Sequence, residues 1–218
     1  MNWRSKNSWT STVLAIVILC AGIAFGVSGM MGRKSFHGSA DNNRNFFTIE
    51  SKGQLSTTFA FASVLDAAVE ISLDSVQNMP NIEFNFDLTK LSTGFPDRDV
   101  SVFSSSFLDF GMGGAAKLRV LELYKGRNWV LNNEQRVETN GTATLQIGSI
   151  TDTVAVELAF RYLQQNEFTL GRLPGDLLQT DGAVTFRLSD FGIKIPEAAL
   201  LQLDDKIRLR FDIYTSTQ

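Results

Sequence analysis

The sequence predicts an all-β domain with one or two short helices, preceded by a single N-terminal transmembrane helix. Three observations carry this reading. Apolar and polar residues alternate with period two from residue 46 to the end. The apolar run from Val13 to Met31 is long enough to cross a bilayer. His and Cys, which build many catalytic and metal centres, occur once each, at His37 and Cys20, ahead of the alternating region.

Residues 7–32 carry no charge. At 1.5 Å per residue, Val13 to Met31 spans roughly 28 Å, close to the ~30 Å hydrocarbon layer. Arg4 and Lys6 precede the run, Arg33 and Lys34 follow it, and Trp9 stands at its border, as in an interfacial anchor. Gly22 and Gly26, with Ala21, Ala24 and Gly29, make one helix side small, a surface on which another transmembrane helix can dock. A cleaved signal peptide is the alternative, but its apolar core is usually only about 7–15 residues long. Lipidation of Cys20 is disfavoured by the bulky Leu19 before it. The expected organisation is an anchor (or signal peptide) over 1–32, a polar linker over 33–44 and the β domain over 45–218.

Within the domain, strands are expected where alternation is strict. Val69, Ile71 and Leu73 form one such series, and Ile82, Phe84, Phe86 and Leu88 another. Val154 to Tyr162, Val184 to Leu188 and Ile207 to Ile213 give three more. Less regular strands are expected at 46–51, 54–63, 116–124, 136–147 and 166–173, with turns at Ser51-Lys52-Gly53 and Thr180-Asp181-Gly182. Each strand has one apolar and one wet face, so about ten of them require a sandwich or a closed barrel. Two short stretches suit helices: Pro96 to Ser104, with proline at a first-turn position, and Pro196 to Leu203.

Composition narrows the function. Residues 1–40 sum to +4 and the whole chain to −3, which leaves −7 for residues 41–218. An acidic domain without a basic patch is not expected to bind nucleic acid. The domain has no His or Cys for a Ser-His or Cys-His nucleophile pair or a metal site, so no catalytic or metal residues are expected. Phe occurs 17 times, 15 of them at Phe46 or later, and its side chain has no polar atom to satisfy. It suits a packed core or an apolar pocket. Phe59, Phe61, Phe84, Phe86, Leu158, Phe160, Val184 and Phe186 are the expected lining of such a pocket.

Several motifs resemble the YceI-like family of polyisoprenoid-binding proteins. Ile82 to Gly94 (IEFNFDLTKLSTG) is similar to the family's strand and S-x-x-T-G turn, and Arg98-Asp99 to its RD pair. Phe107-Leu108-Asp109 sits where the family has a D-F-F element, and Gly141 to Val156 resembles its G-x-L-T-I-x-G-V-T segment. Ser189-Asp190-Phe191-Gly192-Ile193 matches S-D-F-G-I, and Asp204 to Leu209 matches the closing strand. The family's H-L-R-S after RD is replaced by Ser101-Val102-Phe103-Ser104. Asp190-Phe191-Gly192 lacks the other signature parts of a kinase.

The resemblance implies a lipocalin-like antiparallel barrel, exported, enclosing a long apolar ligand. The expected protein is a single-pass component of a bacterial inner membrane, N-terminus in, with its barrel in the periplasm. It would bind membrane lipid, namely an isoprenoid, a quinone or a polyprenyl carrier, and need no other cofactor. Arg98, Asp99 and Asp190 would be polar rim or structural residues. The alternative is a non-catalytic accessory subunit of a membrane complex, docked through Gly22, Gly26 and the barrel.

Overall fold

The computed structural model describes residues 32–39, 45–78, 80–102, 114–124 and 130–218. The strands are β1 (Arg33–Ser39), β2 (Phe46–Lys52), β3 (Thr57–Ser72), β4 (Asn81–Asp87), β5 (Ala115–Leu123), β6 (Arg136–Ile147), β7 (Ile150–Leu163), β8 (Leu177–Arg187) and β9 (Lys206–Ser216). The helices are α1 (Pro96–Val102) and α2 (Glu167–Leu170). From β2 to β9 each strand pairs antiparallel with the next, and β9 returns to β2. The result is a closed eight-stranded lipocalin-like barrel, which removes every free edge of the ring.

Several expected elements differ in the structure. Segments 54–63 and 69–73 are one long strand, β3, bent at a bulge between Val64 and Asp66. The bulge inserts a residue and shifts the inward face from Ala60 and Ala62 to Ala67, Val69 and Ile71. Residues 166–173 are not a strand. The Asn166 side chain caps the amides of Phe168 and Thr169, the Thr169 hydroxyl accepts from the Asn166 amide, and α2 follows. Thr180-Asp181-Gly182 is not a turn but the middle of β8, where Gly182 faces Phe211 of β9. A Cβ at 182 would fall on the Phe211 ring, so the glycine makes room for an aromatic in the barrel. Pro196 to Leu203 holds only a 3-10 turn at Glu197–Ala199, whereas α1 forms where Pro96 predicts it.

The stretch 33–44 expected to be a linker contains β1, which occupies the same place in the wall as β2, between β9 and β3. Phe36 is fully buried and meets Tyr162 edge-on, with ring centroids 6.3 Å apart. Polar flanks hid this strand, because a single buried phenylalanine leaves no alternation to detect. Lys34 secures it. Its ammonium donates to the Tyr162 hydroxyl (2.8 Å) and to Asp176, and Tyr162 donates to the same carboxylate (2.7 Å). Partial burial alone would lower the Lys34 pKa, yet Asp176 and Tyr162 hold it above its ordinary value. Burial likewise opposes ionisation of Asp176, but hydrogen bonds from Lys34, the Gln165 amide and Tyr162 keep its carboxyl below the usual range.

The anchor, with Gly22 and Gly26, lies outside the described residues, as does Phe107-Leu108-Asp109. Among the described residues, no helix is long and apolar enough to cross a membrane.

Candidate functional site

Alternation along the strands sends one set of side chains into the barrel. Phe84, Phe86 and Phe160 are fully buried there, and Leu158, Val184 and Phe186 nearly so. Phe59 and Phe61 are not part of this lining: they are 57% and 55% exposed on the outer wall. The pairing of β3 with β2 decides this. Phe47 and Ile49 stand opposite Ala62 and Ala60, and Phe47 is completely buried, so the two alanines must face inward with it. A large residue on β2 meets a small one on β3, and the β3 phenylalanines are left outside.

The small inward residues leave a cavity of about 30 Å³ at one end of the barrel. That end is formed by the finishing residues of β2, β4, β6 and β8 and the starts of β3, β5 and β9. Ala60, Ala116, Leu145, Phe186, Ile207 and Leu209 contribute to its wall, and Leu88, Leu91, Leu188 and Leu203 reach it from the connecting loops. Ser51 and Thr58 also border it, but their hydroxyls are turned to backbone. Ser51 Oγ donates to the Asp204 carbonyl (3.2 Å) and accepts from its amide (2.8 Å); Thr58 Oγ1 donates to the Gln202 carbonyl (3.0 Å). The cavity therefore offers a ligand only apolar surface.

Deeper in the barrel the space is filled by aromatic rings. Phe47, Phe86 and Phe211 each lie two residues from a cavity residue (Ile49, Leu88 and Leu209 respectively), on the side away from the cavity end of the barrel. Phe86 is 5.1 Å from Phe47 and 5.5 Å from Phe211, and Phe84 is 4.7 Å from Phe211, centroid to centroid. These are attractive edge and tilted contacts. The free volume holds about two water molecules, so a long chain enters only if some of these rings move.

The polar residues singled out from sequence organise loops at the cavity end of the barrel. Asp99 accepts hydrogen bonds from Ser92 Oγ (2.7 Å), the Thr93 amide (2.8 Å) and the Thr93 hydroxyl, while Arg98 Nε donates to that same hydroxyl (2.9 Å). Desolvation would raise the Asp99 pKa, yet these hydrogen bonds from Thr93 and Ser92 hold it below the ordinary value. Arg98 and Asp99 thus meet through Thr93, and together they tie α1 to the segment after β4. Asp190 is exposed. Its neighbour Phe191 packs edge-on against Phe186 at 5.5 Å, and Gly192 adopts the left-handed conformation (φ 72°). The carboxylate holding this turn is Asp205, which accepts from the Ser189 amide and hydroxyl, both at 2.8 Å. Sequence reasoning missed it, and also missed Ala60 and Ala116, since small residues carry little weight in a hydrophobic pattern.

Among the described residues there is no cluster of His, Cys, Asp or Glu suited to a metal ion. On the outer wall, Asp212 of β9 stands opposite Asp181 of β8. Partial burial and then the neighbouring Asp181 carboxylate raise its pKa, while Gln179 and Arg136 act in the other direction.

Comparison with known proteins agrees with this architecture. No curated protein matches the sequence. Among solved structures, BcnA of Burkholderia cenocepacia superposes with a TM-score of 0.61 at 15% identity, over 82% of this chain and all of that one. A polyisoprenoid-binding domain from Saccharophagus degradans, implicated in plant cell wall breakdown, gives 0.58 at 12% identity, over 85% and 99%. The YceI protein of Campylobacter jejuni gives 0.52 at 13% identity, over 70% and 81%. At these identities the likeness establishes the fold. The family model for the YceI-like domain matches residues 23–215, and the chain belongs to that family.

Proposed function

We propose that this domain binds an isoprenoid or another long apolar lipid inside its barrel, without catalysing a reaction on it. The observation that carries the proposal is the cavity: closed by strands, walled only by apolar surface, and floored by aromatic rings. The Saccharophagus domain of the same fold is described as polyisoprenoid-binding, which supports this ligand class. Each methylene taken from water into such a site contributes roughly 0.8 kcal/mol before ordering costs. We further propose that residues 1–32 anchor the protein in a bacterial inner membrane, with the barrel in the periplasm.

A second reading, an accessory subunit of a membrane complex docked through Gly22 and Gly26, is favoured by the rings that already fill the barrel. Native mass spectrometry of the full-length protein, gently extracted from its own membrane, separates the two. A bound mass in the isoprenoid range supports the carrier. A lipid-free barrel accompanied by other membrane subunits overturns it in favour of the accessory role.

A further inference from the structure

We propose that the outer surface around the cavity mouth docks on a phospholipid bilayer, so that cargo passes between bilayer and cavity without crossing water. This rests on the lipid-binding reading above. The mouth is framed by three segments, and each presents apolar side chains both inward and outward. On β3, Thr58 and Ala60 line the cavity, while Phe59 and Phe61 between and beyond them face out. Before β9, Leu203 lines the cavity and Leu201 is 48% exposed. After β4, Leu91 lines the cavity and Phe95 is 63% exposed.

Backbone hydrogen bonds join these segments into one surface. The Leu55 amide donates to the Leu201 carbonyl (2.9 Å), and Phe61 and Ser92 exchange two bonds of 2.9 Å. Leu55 itself is 77% exposed. Residues 53–65, 91–96 and 198–203 contain no charge; Lys52 and Lys90 precede the first two segments, and Asp66, Asp97, Glu197 and Asp204 stand at the remaining borders. Arg98 stacks over the Phe95 ring at 4.6 Å. An uncharged centre that exposes Leu55, Phe59, Phe61, Phe95 and Leu201 together, with charges confined to its borders, suits the boundary between headgroups and acyl chains.

Continuity with the cavity selects the occupant. A second protein copy seated on this surface would cap the mouth. A bilayer would open into it, and would remove the cost of leaving these phenylalanines in water.

The test uses the full-length protein with Cys20→Ser, its only cysteine, in vesicles of phosphatidylethanolamine and phosphatidylglycerol. A nitroxide is placed singly through Phe61→Cys, Leu201→Cys or, as a reference on the exposed outer wall of β7, Ala155→Cys. These positions are exposed, so the substitutions leave the core intact. The labels at 61 and 201 are expected to lose access to an aqueous nickel chelate and gain access to oxygen, while the label at 155 stays aqueous. Aqueous labels at all three positions overturn the proposal. So does strong spin–spin coupling at 61 that persists without vesicles, which assigns the surface to a second copy. The lipid mass bound to the same sample reports on cargo separately. Bound isoprenoid with aqueous labels removes the docking surface and leaves the carrier standing; bilayer-buried labels on a lipid-free barrel do the reverse.

Discussion

Phe86→Ala tests whether the barrel holds a chain below its small cavity. Phe86 is fully buried, pairs with Ala116 in the cavity wall, and lies against Phe47 and Phe211. Truncating a phenylalanine in such a site costs about 3–5 kcal/mol. In a domain of this size each kcal/mol lowers Tm by roughly 2–4 °C, so a fall of roughly 6–20 °C is expected for the lipid-free protein. The space opened joins the existing cavity. An isoprenoid alcohol placing four or five methylene-sized groups there regains roughly 3–4 kcal/mol. The assay is thermal unfolding by circular dichroism, lipid-free and with saturating geranylgeraniol, on wild type and variant. The ligand should raise the Tm of the variant more than that of the wild type. Phe36→Ala, which removes an equally buried ring from β1 beside Tyr162, should be destabilised without that extra rescue. Equal ligand effects on wild type and Phe86→Ala would refute the idea that cargo reaches past the mouth.

Three further outcomes follow from the geometry. Asp176→Asn should destabilise the protein at neutral pH by about 1–2 kcal/mol, toward the lower end because Lys34 is partly solvated. The Asp176 carboxyl is held low, so its contribution is present above its unfolded pKa of about 3.9 and disappears as pH falls through the folded value. Lys34 is held high, so its contribution is complete below about 10.4 and is lost as pH rises through its folded value. Denaturation midpoints of wild type and variant should therefore differ by a constant amount from pH 5 to about 9 and converge in acid. Asp212→Asn should do the opposite at neutral pH and raise Tm, since burial and Asp181 oppose ionisation of Asp212. That gain should vanish below about pH 4, where the wild-type carboxyl is protonated in both states, and a gain that persists there would point to another cause. Gly182→Ala should cost about 1–3 kcal/mol by overpacking, measured in urea, because Phe211 is held by Phe84 and Phe86 and cannot swing clear. Adding Phe211→Leu to that variant should recover part of the loss.

The period-two pattern by itself determined the all-β class and the inward faces of β4, β7, β8 and β9. Phe84, Phe86, Leu158, Phe160, Val184 and Phe186 are buried where alternation puts them. Helix α1 was legible because proline at its first position removes an amide that would have had no partner. Tertiary structure decided the rest, because pairing partners are not written in a single strand. Period two says that Phe59 and Phe61 share a face, but not which face. The register of Phe47 on Ala62 turns them out, against their hydrophobicity. The same register creates the cavity from Ala60, whose value lies in the volume it leaves rather than the surface it buries. Residues around Thr180-Asp181-Gly182 read as a turn because glycine is locally flexible; only a ring from the neighbouring strand gives that glycine a place inside β8. In β1 a single buried phenylalanine and a lysine paired to Asp176, 142 positions along the chain, hold a strand that no local pattern predicts.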